Sequence, residues 1–189
     1  SIAEARFLRA FYYYRLFINF GERLPMFEHE LEGTEEEFYP PQVEAGRLKT
    51  FIETELSECQ ANLPEKWNTN MAGRVTKYTA AALLGKYYMF IGEKAKAKTE
   101  FWKVIDSHRY ELMENYGDNF NGLHENNKES ILEVQFTGSL EGGHYESLYL
   151  ALGSRQWLWR IRGSISVQMV IQYTEERPHR RWGIQRPIV

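Results

Sequence analysis

Hydrophobic side chains recur every three or four residues at the start of the chain. Between residues 3 and 19 the apolar positions are Ala3, Phe7, Ala10, Phe11, Tyr14, Phe17 and Ile18. This spacing puts them on one side of an α-helix, so it predicts a helix with one buried stripe. Gly21 and then Pro25 follow, which favours the end of the helix at that point.

A second helical pattern covers residues 43–62. Its apolar face carries Leu48, Ile52, Leu56 and Cys59. Pro64 follows and predicts the end of this helix, because proline cannot continue the backbone hydrogen bonding. Residues 28–42, between the two helical patterns, are acidic and close with two prolines, which predicts an exposed loop. Cys59 is the only cysteine, so we expect a small core residue and no internal disulfide.

The pattern is most specific between residues 77 and 108. The tetratricopeptide repeat requires Leu-Gly-x2-Tyr on one helix and Ala-x3-Phe on the next. The matching residues here are Leu84, Gly85, Tyr88, Ala97 and Phe101. The small residues let two antiparallel helices approach closely, and the large rings fill the space around them. We therefore predict a helical hairpin over residues 77–108, capped at Thr76 and turning at Gly92.

Two positions of the repeat pattern differ from the usual residues. Ala81 stands where tryptophan is common, and Arg109 stands where proline is common. A single repeat cannot bury both of its faces, so we expect the helices at 3–19 and 43–62 to stack against it. The lysines of the second repeat helix, at 94, 96, 98 and 103, are interpreted as a solvated face and not as a phosphate site.

A short strand is predicted after the hairpin. From Ile131 to Phe136 apolar and polar residues alternate, with Leu132, Val134 and Phe136 on the face expected to contact the helices. The predicted fold class is mainly α, with tetratricopeptide-like antiparallel hairpins and a minor β element near residues 130–137. The preceding residues 118–122 fail the register of a calcium loop and are interpreted as a polar turn.

Composition narrows the possible functions. Hydrophobic residues make up 43% of the chain and its net charge is only −3, which indicates a globular protein without a nucleic-acid footprint. No apolar run approaches the roughly 20 residues needed to cross a bilayer. The five histidines are scattered, and the phosphate-loop, dinucleotide and nucleophile-elbow motifs are absent. We therefore predict no metal site, no cofactor and no catalysis, although a pair of acidic residues for glycoside hydrolysis remains open.

The charge pattern changes near residue 155. Residues 155–189 carry seven arginines, no lysine and two glutamates, whereas residues 1–154 are acidic overall. We predict one helical-repeat domain over 1–154 and a divergent or irregular segment over 155–189. The chain also begins inside a helical pattern, so we expect its natural N-terminus to lie upstream.

Aromatic residues outside the predicted helices are the candidate ligand contacts. They are Trp67, Tyr145, Tyr149, Trp157 and Trp159. Such rings present a flat apolar face with a polar handle, and the apolar C–H faces of sugars stack on them. The alternative for each ring is ordinary packing.

Four blocks of the sequence resemble the SusD/RagB family in order and spacing. They cover residues 3–21, 48–64, 73–113 and 125–136, and the last contains the run Glu125-Asn126-Asn127-Lys128-Glu129-Ser130 before the strand. The resemblance implies a non-enzymatic, surface-exposed lipoprotein of the Gram-negative outer membrane that captures glycans or other nutrients. It also implies a SusC-like TonB-dependent transporter as partner. Family members are longer than this chain, and residues after about 153 do not share the resemblance.

Two other functions remain open on the sequence. One is a tetratricopeptide-type protein–protein interaction module, which the repeat alone would equally support. The other is a helical glycoside hydrolase, for which no particular carboxylate pair stands out among 26 acidic residues.

Overall fold

A computed structural model of the chain describes residues 1–33, 38–71, 73–120, 123–135 and 165–166, with the backbone alone at 69, 165 and 166. Its α-helices are α1 (Ile2–Phe20), α2 (Arg47–Asn62), α3 (Lys77–Phe90) and α4 (Lys94–Ile105), and its strands are β1 (Ser130–Leu132) and β2 (Ile165–Ser166). The predicted mainly helical fold class with a minor β element is confirmed. No helix in the described ranges is long and apolar enough to cross a membrane.

Local sequence accounts for most of the helix ends. The Thr76 hydroxyl accepts a hydrogen bond from the Thr79 N–H at 3.3 Å, and the Thr79 hydroxyl accepts one from the Thr76 N–H at 3.2 Å. This reciprocal cap begins α3 at the predicted position. Gly92 has a φ of +86° and forms the turn between α3 and α4.

The predicted start of α2 at residue 43 is wrong by four residues. The N–H of Val43 donates to the carbonyl of Leu24 at 3.2 Å, so this part of the chain pairs with the loop after α1. Gly46 then has a φ of +85°, which is outside the helical region. The helix can therefore begin only at Arg47.

The helices pack in chain order as two antiparallel hairpins, α1 with α2 and α3 with α4, and α2 joins the hairpins by packing on α3. Within the second hairpin, a Cβ built on Gly85 would lie 2.6 Å from Cδ1 and 3.0 Å from Cζ of Phe101. Both residues are buried, so the missing side chain at Gly85 is what lets the Phe101 ring lie against α3.

Buried charge joins the helices of the first hairpin. Glu55 of α2 is only 4% exposed, and its carboxylate accepts hydrogen bonds from Arg6 at 2.6 Å and Arg9 at 2.7 Å, both on α1. Burial opposes ionisation of Glu55, yet the two guanidinium groups hold its pKa below the ordinary value. The charged form is therefore the one that the hairpin stabilises.

The predicted inward face of the strand is wrong in part: Leu132 packs partly buried against the core, as predicted. Ile131 is the buried residue of β1, at 6% exposure, whereas Val134 is 56% exposed. The carbonyl of Ile131 accepts a hydrogen bond from the Thr79 hydroxyl at 3.4 Å, which fixes β1 against α3. β1 is three residues long and pairs antiparallel with β2 through an irregular register, so the alternation expected for a longer strand does not apply. Phe136 lies outside the described residues.

Candidate binding surface

Several connecting segments meet at one end of the helical bundle, which we call the loop end. It comprises the α2–α3 connection (63–76), the residues after α4 (106–120) and the stretch 123–135. Arg109, after α4, donates to Glu65 of the α2–α3 connection at 2.8 Å. Arg74 of the same connection donates through Nε to Glu4, at the start of α1, at 2.7 Å. These ion pairs hold the connecting segments together.

Trp67 is the candidate ligand residue that lies within the described part of the chain. Its indole N–H donates to the carbonyl of Val75 at 2.8 Å, and the Arg74 guanidinium carbon lies 3.8 Å from the ring centroid. Arg74 also hydrogen-bonds Glu4, and this bond lowers the pKa of the Glu4 carboxyl from 4.5 to about 2. The ring is half-buried and its orientation is fixed, so a ligand could stack only on the face opposite Arg74.

The remaining candidate ligand residues, Tyr145, Tyr149, Trp157 and Trp159, lie outside the described residues. Their part in a binding site stays a prediction. The same holds for the boundary between residues 154 and 155, because only 165–166 are described beyond it.

A polar network organises the loop end around Glu129, which is only 4% exposed. Its carboxylate accepts hydrogen bonds from the backbone N–H of Met113 at 3.1 Å and from the amide of Asn119 at 2.8 Å. The Asn127 side chain accepts from the Glu129 N–H at 2.9 Å and donates to the side-chain oxygen Oδ1 of Asn119 at 3.0 Å. Asn127 and Glu129 belong to the run at residues 125–130 that leads into β1. These two residues fix the chain between α4 and β1.

A second contact ties the α2–α3 connection to the residues after β1. The residue after β1 that makes this contact is Gln135, and Asn126 holds it in place. The two side chains exchange two hydrogen bonds, both of 3.0 Å. A Cβ on Gly73, which has a φ of +84°, would lie 2.5 Å from Cγ of Gln135. The close approach therefore needs glycine both for its conformation and for its size. The segment that carries Trp67 is thus braced from two sides.

A polar groove opens between α2, α3 and α4 at this end, with a volume of about 360 Å³. Residues that line it are Gln60, Lys77, Tyr78, Ala81, Lys103, Asp106 and Ser107. Lys103 was interpreted as part of a solvated lysine face, and its side chain is indeed exposed, although it also has hydrogen-bond partners. Its ammonium donates to Glu100 at 2.7 Å and to Gln60 of α2 at 2.9 Å, because α4 turns this position towards α2.

The five residues of the repeat pattern belong to the packed interface of α3 and α4. Leu84, Gly85, Tyr88, Ala97 and Phe101 are all buried. The Tyr88 hydroxyl reaches the carboxylate of Glu53 on α2, donating at 3.3 Å, so it links the two hairpins. None of these side chains is placed to meet a large ligand. Within the described ranges, no group of three or more His, Cys, Asp or Glu residues could hold a metal ion.

Comparison with known proteins gives a consistent set of relatives, although no family model matches. Over 81% of its length the chain is 31% identical to the starch-binding protein SusD of Bacteroides thetaiotaomicron, and it covers 28% of that protein. The structure of a laminarin-binding SusD-like protein matches 71% of the chain with a TM-score of 0.66 and 33% identity, over 30% of that protein.

A further solved structure is similar to the same extent. A SusD-like carbohydrate-binding protein of Bacteroides fragilis matches 72% of the chain with a TM-score of 0.66 and 29% identity. The match covers 27% of that protein. The chain therefore spans less than a third of the length of the relatives it resembles.

Proposed function

The chain belongs to the SusD-like family, of which it represents a part, and from this premise we propose that the protein binds glycans or other nutrients at the bacterial cell surface. It acts without catalysis and delivers its ligand to a TonB-dependent outer-membrane transporter. The protein is held at the outer membrane, facing outwards, by a lipid anchor.

The observation that carries the proposal is that two of the relatives bind polysaccharides. The relative at 31% identity is a starch-binding protein, and the solved structure at 33% identity binds laminarin. Both ligands are neutral polysaccharides, so a neutral glycan is the ligand class we propose here. The candidate contacts are Trp67, Tyr145, Tyr149, Trp157 and Trp159, whose rings are suited to stack on sugar faces.

The division between scaffold and loops supports the same function. The repeat residues are buried in the bundle, whereas Trp67 lies in a connection that is braced at Gly73 and Arg74. A rigid scaffold that presents aromatic rings on fixed loops limits the ordering entropy lost on binding. Binding by such a scaffold requires no reactive side chain.

Affinity electrophoresis of the full-length protein through gels that contain starch, laminarin or xyloglucan tests the proposal. We expect retardation in at least one gel, weakened by Trp67→Ala. Phe38→Ala is the matched control, because Phe38 is an exposed ring far from the loop end in sequence, at 52% exposure. Unretarded migration in every neutral glycan would contradict the glycan version of the proposal.

The partner is tested separately. The tagged full-length protein, isolated with mild detergent from outer membranes of its own bacterium, should retain a TonB-dependent transporter. If the transporter is absent and cytoplasmic proteins co-purify instead, the tetratricopeptide interaction module becomes the better account.

A further inference from the structure

The outward face of α1 carries large apolar side chains into solvent. Four of them follow one another at four-residue intervals, each between 41% and 71% exposed: Leu8, Tyr12, Leu16 and Phe20. This spacing places them in one row along the helix, over roughly 18 Å. We call the row the α1 ridge. The opposite face of α1 is packed in the core. A helix that is apolar on both faces is normally covered on both.

The neighbouring helix α2 has a solvated face of the ordinary kind. Its exposed positions are polar or small, as at Thr54, Ser57 and Glu58, and its large hydrophobic residues are all buried. Both helices belong to the same hairpin, so the apolar outward face is a property of α1 and not of the hairpin. An ordered row of exposed apolar side chains marks a contact surface, whereas single exposed residues do not.

Two cations beside the α1 ridge need a partner. Arg15 is exposed on α1, and Lys86 is half-buried on the adjacent α3. Among the residues that the structure describes, no carboxylate forms an ion pair with either side chain. Glu4, which is the acidic residue of α1, is already paired with Arg74. Burial and the charge of Arg15 both lower the pKa of the Lys86 ammonium. A carboxylate from another element would relieve this repulsion.

The size of the α1 ridge favours a helix of the same polypeptide as its occupant. Four half-exposed side chains offer about 400 Å², about half of the roughly 800 Å² that each partner buries in a stable complex. A separate protein would also lose translational and rotational freedom, whereas a segment of the same polypeptide would not. A second copy would bring further cations and no carboxylate on its own ridge. The chain spans less than a third of the length of its relatives, so the full-length polypeptide has ample sequence to supply such a helix.

From these features we propose that an amphipathic helix from elsewhere in the full-length polypeptide packs on the α1 ridge. Its apolar residues lie between those of the ridge, and a carboxylate on its flank pairs with Arg15 and Lys86. Rows at four-residue spacing interdigitate at about −50°, the commonest crossing angle between helices, so this helix crosses α1 obliquely. The α1 ridge is therefore an interior surface of the intact protein and is not open to a ligand or to a transporter.

Thiol labelling of the full-length protein, purified as a monomer and verified by light scattering, tests the proposal. Leu8→Cys reports on the ridge, and Ser57→Cys is the matched control on the polar face of α2. Each is labelled with iodoacetamide, and its rate is divided by the rate in urea. We expect the thiol of Leu8→Cys to react about tenfold more slowly than that of Ser57→Cys, or slower still, because the covering helix must first open. Adding Arg15→Glu, two turns from position 8, should restore fast labelling there, and adding Lys98→Glu on α4 should not.

A photoreactive residue identifies the occupant. The substitution Tyr12→p-benzoylphenylalanine keeps an aromatic ring at the centre of the ridge, and we expect it to cross-link within one polypeptide, to a peptide that contains an acidic residue. This measurement decides the result if Leu8→Cys does not fold.

Three outcomes would overturn the proposal. Equal labelling of Leu8→Cys and Ser57→Cys in the monomer would show that the ridge is open. Cross-links between two copies, or to a second protein, would assign the ridge to that partner instead. Protection of position 8 that survives Arg15→Glu would remove the carboxylate from the occupant. Each of these outcomes leaves the proposed glycan-binding function standing, because the ridge is not one of its candidate contacts.

Discussion

Replacing Gly85 with alanine tests the contact that joins α3 to α4. A Cβ at this position would lie 2.6 Å from Cδ1 of Phe101 and nearer still to Cε1. Contacts below about 3 Å between carbon atoms are strongly repulsive. The Phe101 ring is 1% exposed, so it cannot move aside without disturbing its neighbours.

Two effects of this substitution oppose each other. Alanine favours a helix interior over glycine by about 1 kcal/mol. Overpacking a tight core costs about 1–3 kcal/mol, and a methyl group pressed against an aromatic ring belongs at the upper end of that range. We therefore expect a net loss of about 2 kcal/mol in the free energy of unfolding.

The assay is urea denaturation of wild type and variant, followed by circular dichroism. For a chain of this size, a loss of about 2 kcal/mol also lowers Tm by roughly 4–8 °C. Phe101→Leu removes the ring that causes the clash, so the cost of Gly85→Ala should be smaller in that background. Ala95→Gly, at an exposed position in the first turn of α4, is the control for propensity alone and should cost no more than about 1 kcal/mol.

A rise in stability on Gly85→Ala would show that helix propensity outweighs the contact, contrary to this prediction. Strict additivity of Gly85→Ala and Phe101→Leu would refute it too, because contacting residues should couple by about 0.5–3 kcal/mol.

Four further predictions concern other side chains of the helical bundle. Tyr87 is fully buried and, in the described part of the chain, its hydroxyl has no hydrogen-bond partner, so Tyr87→Phe should leave the urea midpoint unchanged or raised. Tyr88→Phe, which breaks a hydrogen bond, should lower stability by about 1 kcal/mol. Because Arg74 lowers the pKa of Glu4 from 4.5 to about 2, the stability from this pair is complete above pH 4.5 and is lost as the pH falls towards 2. Glu4→Gln should therefore flatten the decline in unfolding free energy between pH 5 and pH 2.5. Burial raises the pKa of the Cys59 thiol from 9.0 to about 11, so iodoacetamide at pH 8 should modify it, by mass spectrometry, only after urea is added.

The hairpin could be predicted because its determinants are local and closely spaced. Gly85 and Phe101 each have a fixed place in the repeat, and the Thr76 cap lies directly before the helix that it begins. In each case the residue type follows from a physical requirement: small size at Gly85, a large ring at Phe101 and a hydroxyl acceptor at Thr76.

The parts that could not be predicted depend on contacts distant in sequence. The start of α2 depends on the pairing of Val43 with Leu24, which periodicity does not reveal. Lys103 faces α2 because of how α4 packs, and its partner Gln60 is 43 residues away. The buried residue of β1 is Ile131, which the alternation did not predict, because the strand is too short for its alternation to decide the register.

Only part of the binding surface could be predicted from the sequence. Aromatic residues outside helices mark candidate contacts by chemistry alone, and Trp67 proves to be fixed by Arg74 and Val75. The network of Asn119, Asn127 and Glu129 carried one local signal, two asparagines shortly before an acidic residue at the start of a strand. Its long-range partner, the N–H of Met113, could be found only in the structure.

We propose that the protein binds neutral glycans and does not cleave them. The most direct test is to incubate the full-length protein with laminarin or starch and follow, in the same sample, binding heat and the release of new reducing ends. We expect saturable heat with no reducing ends above the protein-free control. Reducing ends that grow with time and disappear on substitution of one carboxylate would contradict it, as would the absence of binding heat with every neutral glycan.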